Sequence, residues 1–179
     1  GVVLGINPFD EPDVQRSKDT TALFLGGKNV PGQTALTPCI REGGLSLVGE
    51  PMQFQGLAGV AEGLRHLFKT IRQGDYVAIL AWLDENEVLR SLLESCRAHI
   101  GGALGVPVTL GFGPRYLHST GQLHKGGSNA GVFLQFTAGG RADVAIPDHD
   151  YSFADLHSAQ SDADLAVLSD LGRRAARVN

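Results

Sequence analysis

The stretch that decides the fold is 76–112, YVAILAWLDENEVLRSLLESCRAHIGGALGVPVTLGF. It opens on a continuous apolar run over 76–83, the pattern of a buried strand. Val88, Leu89, Leu92, Leu93, Cys96 and Ile100 then recur at helical spacing, and glycines at 101 and 102 mark the end of that helix or come just before it. A second β-type run fills 106–112. Strand, helix and strand in succession imply a parallel pair, because parallel neighbours need a crossover connection.

Working outward, apolar residues at 57, 60, 61, 64, 68 and 71 predict an amphipathic helix stopped by Gln73-Gly74, and 132–137 predicts a further strand. Residues 143–146 read as a short edge strand closed by Pro147. The last helix starts at Ser152 with Asp155 as its capping partner, and its pattern breaks near Gln160, where a kink fits. At the other end, 1–7 reads as a buried strand, which makes the start look like a cut through a longer chain. Residues 10–25 read as a helix with Asp10, Glu11 and Pro12 in its first turn. Together these predict a three-layer α/β fold: a mostly parallel open sheet with helices on both faces, of the Rossmann or flavodoxin kind. The expected division is a strand–helix unit over 1–26, a Gly- and Pro-rich connecting arm with one strand over 27–56, and an α/β domain over 57–179.

Composition narrows the function. The net charge is −4, and the 15 Lys and Arg are scattered, which argues against a nucleic-acid partner. No apolar run approaches the roughly 18 residues of a membrane span, and no signal peptide precedes the first strand, so the reading is cytoplasmic. Cys39 and Cys96 lack metal-type spacing and read as buried or incidental thiols. The segment GKNVPGQT mimics a phosphate loop but carries Gln33 where its lysine must stand. Gly101, Gly102 and Gly105 follow a helix instead of opening one, so no nicotinamide cofactor follows from them. His118 and His124 lack further ligands for a metal, and Ser119 lacks a nucleophile elbow, so neither a metal nor another cofactor is expected.

Two segments carry candidate chemistry. In FDEPDVQRSK, 9–18, Gln15 and Lys18 share one helix face. In the loop after the second strand of the deciding stretch, His118, Ser119, Thr120, Gln122, His124 and Lys125 place six hydrogen-bonding side chains among eight residues. That loop sits at the ligand edge of the predicted sheet. It reads either as sugar-hydroxyl or phosphate recognition, or as a segment that caps the next helix or fixes a subunit contact.

The first segment resembles the C-terminal signature of glucose-6-phosphate isomerases, in which an aromatic residue and Asp precede Gln, any residue, Gly-Val-Glu, two residues and Lys. Phe9, Asp10, Val14 and Lys18 match, whereas Glu11, Asp13 and Gln15 replace the usual Gln, Gly and Glu. RYLHSTGQLHKGG over 115–127 and YSFADLHSAQ over 151–160 are similar to the end of the isomerase portion of bacterial bifunctional transaldolase/glucose-6-phosphate isomerases. With them the resemblance extends over nearly the whole chain. It implies a sugar-isomerase-like fold and a glycolytic and gluconeogenic aldose–ketose isomerase, with Lys18 assisting ring opening; Gln15 beside it is a candidate substrate-binding residue, and the late loop keeps both of its readings. It also implies that the carboxylate base and the phosphate-binding loop lie upstream, so this chain alone is expected to be inert. Transaldolase chemistry would need a (β/α)₈ barrel, for which the chain is too short. Two other readings stay open: a sugar-phosphate-binding module without chemistry, and an assembly domain whose late loop and last helix join copies into a homo-oligomer.

Overall fold

A computed structural model of the protein describes residues 1–5, 7, 9–139 and 143–179. Five helices, α1 (Pro12–Leu25), α2 (Val60–Phe68), α3 (Glu87–Leu104), α4 (Gly121–Gly126) and α5 (Phe153–Asp170), alternate with six strands. The strands are β1 (Pro38–Glu42), β2 (Leu45–Gly49), β3 (Tyr76–Trp82), β4 (Val108–Phe112), β5 (Gly131–Thr137) and β6 (Arg174–Val178). They form one sheet in the order β1-β2-β6-β5-β3-β4, with β6, β5, β3 and β4 parallel and the β1–β2 hairpin antiparallel at one side. The chain is therefore an α/β protein with a mostly parallel sheet between two helical layers.

Side-chain alternation explains both layers. Val77, Ile79 and Ala81 of β3 and Leu134 of β5 point to the face where Leu67 of α2 and Leu93 of α3 pack. Ala78, Leu80, Trp82 and Phe133 point to the other face and meet Leu165 and Leu168 of α5. Each β3 side chain from Val77 to Trp82 is buried, which is why its sequence is a continuous apolar run. The helix ends follow local chemistry. The Asn86 side chain accepts a hydrogen bond from the Leu89 amide, and Gly105 takes the left-handed conformation, φ 67°, that stops α3. Ser152 and Asp155 make the reciprocal capping box at the start of α5.

Several expectations need correction. Residues 2–5 form an exposed turn instead of a buried strand, with the Leu4 amide bonded to the Gly1 carbonyl; Ile6 of that expected strand lies outside the described residues. Among the described residues no strand pairs with this run, and an unpaired strand gains little over a local turn. The Gly- and Pro-rich stretch, read as an arm with one strand, contributes two, and β2 hydrogen-bonds to β6 inside the sheet. Residues 143–146 make only one isolated bridge, Ala145 to Ser152, in place of an edge strand. Strand β6, absent from the sequence reading, occupies an interior position between β2 and β5. The helix α5 is unbroken through Gln160. Its pattern changes because it is buried on two sides, by the sheet and by α1, so small residues such as Ala159, Ala163 and Ala166 replace a single apolar stripe.

Candidate functional site

Helix α1 lies on α5 and α4, outside the sheet, and buries Val14, Ser17 and Thr20. These short side chains let two helices approach closely while the opposite face of α1 stays in water. Its position is locked across the chain by Gln122, whose Oε1 accepts from the Asp13 amide at 3.1 Å and whose Nε2 donates to Asp13 Oδ2 at 2.7 Å. The clamp sets Lys18 beside the loop after β4. A cavity of about 200 Å³ opens there, walled by Val14 and Leu117 and reached by Lys18, His118, Lys125 and Gln160. Lys18 and His118 are exposed, and Lys18 has no ion-pair partner among the described residues.

The remaining candidates divide by environment. Gln15 stays outside the cavity lining and donates to Asp19 Oδ1 at 2.8 Å, an exposed contact one helical turn along α1. The Ser119 and Thr120 hydroxyls donate to the Tyr116 carbonyl, at 3.1 and 3.3 Å, and so satisfy their own short helical turn over Arg115–His118. Gln122 clamps α1. The structure brings Lys18, His118 and Lys125 to one cavity and leaves Gln15, Ser119, Thr120, Gln122 and His124 out of its lining.

Lys125, one of the candidate loop residues, presents no free charge. Its Nζ lies 2.6 Å from Asp164 Oδ1, with both side chains 1% exposed. The second oxygen of Asp164 accepts from the Tyr116 hydroxyl at 2.5 Å and from Gln135 Nε2 at 3.3 Å, and Tyr116 in turn accepts from Trp82 Nε1 at 2.8 Å. A buried carboxylate with this many donors is compensated, whereas one stripped of its cation would be costly. Burial, then the neighbouring Asp164 charge, pushes the Tyr116 phenol well above its ordinary value, so it is a permanent donor. His124 is enclosed by Tyr76, Tyr116 and Phe133, and its Nδ1 has no hydrogen-bond partner among the described residues. Burial drives its pKa down to about 4, against a smaller upward pull from Asp164, so the ring is neutral at physiological pH.

Sequence reasoning missed Asp164, Gln135, Tyr116 and Arg177, which build this polar core. Asp164 carried a signal, since it stands inside the otherwise apolar run ADLAVL of the last helix. Among the described residues no cluster of three or more His, Cys, Asp or Glu is placed to hold a metal ion, and no helix is long and apolar enough to cross a membrane. Cys39 and Cys96 are half-buried free thiols.

No family model matches the chain, and no curated protein does. Among solved structures, the crystal structure of a hypothetical protein, TT0462 from Thermus thermophilus, is similar, with a TM-score of 0.56 and 18% identity. The match takes in 68% of this chain and 35% of that one, so this chain corresponds to about a third of that protein's length. At that identity the likeness concerns the fold alone.

Proposed function

We propose that the chain is the C-terminal part of a phosphosugar aldose–ketose isomerase that interconverts glucose 6-phosphate and fructose 6-phosphate, with the α1 cavity as one wall of its active site. The observation that carries this reading is the meeting of Lys18 and His118, far apart in sequence, at one cavity beyond the end of β4. An exposed ammonium held on a clamped helix suits proton donation to the ring oxygen as the hemiacetal C–O bond breaks and that oxygen gains charge. His118 would orient a hydroxyl or bind the phosphate. The volume of about 200 Å³ falls below the roughly 300–1,000 Å³ usual for small-molecule sites, in keeping with a pocket completed by other parts of a longer protein. Those parts would supply the carboxylate that moves the proton between C1 and C2.

The test compares the complete protein with its Lys18→Ala and Lys18→Arg variants in conversion of fructose 6-phosphate to glucose 6-phosphate. The expected result is a loss of about 100-fold or more in kcat for Lys18→Ala, the usual scale of a general acid. Unchanged kcat in the variant would remove Lys18 from the chemistry. A second reading, a phosphosugar-binding module without chemistry, would rest on Lys18 and His118, since Ser119, Thr120, Gln122 and Lys125 are engaged within the chain. It predicts an inactive complete protein that still binds glucose 6-phosphate.

A further inference from the structure

We propose that the crevice outside the carboxyl ends of β3, β5 and β6 binds an uncharged polyhydroxylated ligand, a free sugar or polyol, at a site distinct from the α1 cavity. The proposal does not depend on the isomerase reading. Its first support is topology. After β3 the chain passes to α3 on one face of the sheet, and after the adjacent β5 it passes to α5 on the other. Loops that part in this way leave an opening at the strand ends, where open α/β sheets place their ligands. A cavity of about 600 Å³ occupies that position, three times the volume of the α1 cavity, and reaches Trp82, Thr137, Ser158, Asp162, Arg177 and Asn179.

The second support is a set of polar groups built into the wall. The Arg177 side chain, only 7% exposed, donates from Nε to Gln135 Oε1 at 2.5 Å, from one terminal nitrogen to Asp162 Oδ1 at 2.5 Å, and from the other to the Ser161 carbonyl at 2.8 Å. Three of the five guanidinium N–H groups are thereby fixed, and the two others remain, among the described residues, for a ligand oxygen. Thr137 donates to Asn179 Oδ1, which orients that amide with its own N–H groups uncommitted among the described residues. Rigid donors and acceptors of this kind give recognition at little entropic cost.

Charge selects the ligand class. The Arg177 cation is neutralised by Asp162, and Asp155 adds a further carboxylate to the lining, so the described wall carries no excess positive charge. Among the described lining residues a phosphate would face two carboxylates, one already engaged guanidinium and the His157 imidazole. A hydroxyl both donates and accepts, so it can bond the Asp162 carboxylate and the Arg177 N–H groups together. The Trp82 ring, itself buried, underlies the inner wall with His157 packed edge-on against it.

Trp82 is the one tryptophan of the chain and underlies the crevice wall beside His157, so its emission reports changes in that wall. The experiment titrates the 179-residue chain separately with glucose, fructose, ribose, sorbitol and erythritol, with glucose 6-phosphate as the charged control, and maps backbone amide shifts by NMR. The expected result is a saturable change in Trp82 emission for at least one neutral probe, with shifts concentrated at Ser158 and Asn179. Affinity should fall about tenfold or more in Ser158→Phe, which fills the crevice, and fall less in the milder Asn179→Ala. Lys18→Ala should leave it unchanged, which separates this site from the proposed isomerase site. Absence of saturation with every neutral probe, shifts gathered at Lys18 and His118, or tighter binding of glucose 6-phosphate at Ser158 and Asn179 would each overturn the proposal.

Discussion

Lys18 and Lys125 line the same cavity, and their circumstances are opposite. Lys18 stands on the outer face of α1, in water, with its charge available. Lys125 is sealed against Asp164, and its charge is consumed by that pair. The two histidines repeat the division, His118 exposed and His124 enclosed by aromatic rings. The difference teaches that a polar loop can serve two purposes at once. In each pair one side chain is buried among its partners, and the other stays exposed.

The division can be broken most forcefully at Lys125. Lys125→Ala strands the Asp164 carboxylate in the core and should cost about 3–5 kcal/mol in urea denaturation, whereas Lys125→Met with Asp164→Leu should recover part of that loss. A double variant no more stable than Lys125→Ala would show that Tyr116 and Gln135, bereft of their acceptor, dominate. The next effect concerns His124. With its folded pKa lowered to about 4 from 6.5, the unfolded chain binds the proton first as pH falls. Stability from this group is therefore full above about pH 6.5 and is lost between 6.5 and 4, by roughly 3 kcal/mol in all. His124→Phe should abolish that part of the slope, seen as the difference between the two proteins' denaturation curves at successive pH values.

Smaller effects sharpen the contrast from the exposed side. Gln122→Ala removes both hydrogen bonds to Asp13 and should lower stability by about 1 kcal/mol, with faster amide exchange along α1 as the marker of a loosened helix. Lys18→Ala should change stability by no more than about 0.5 kcal/mol in the same denaturation assay, since the side chain makes no ion pair among the described residues. A large destabilisation there would assign Lys18 to structure and undo the comparison.

The elements legible in the sequence are those with a single dominant pattern. β3 is a run of buried side chains, α3 has a clear stripe and a glycine stop, and α5 has a capping box, so the sequence places each within a few residues. β6 escapes it, because RAARV contains two arginines and reads as a polar tail. Arg177 is tolerated in the middle of the sheet only because Gln135, Asp162 and the Ser161 carbonyl surround its guanidinium, and none of these is near it in sequence. Arg174 is held likewise by Asp75 at 2.6 Å, and that guanidinium keeps the Asp75 carboxyl below its ordinary range. The hairpin of β1 and β2 reads as an arm because its glycines resemble linker. One of them, Gly32 just before the hairpin, is required by close approach: its φ is 74° and a side chain there would strike the Ala166 carbonyl of α5.

By itself the sequence determined the class of fold, the parallel pairing around the deciding stretch and the polar character of the loop after β4, because periodicity and capping are local properties that the chain writes residue by residue. Only the tertiary structure decided which polar side chains are spent. Lys125 has its charge paired with Asp164 while Lys18 does not, and His124 stays neutral near physiological pH because burial among the surrounding rings lowers its pKa to about 4. Those partners lie on different helices and strands, and desolvation is a property of the assembled interior rather than of any segment.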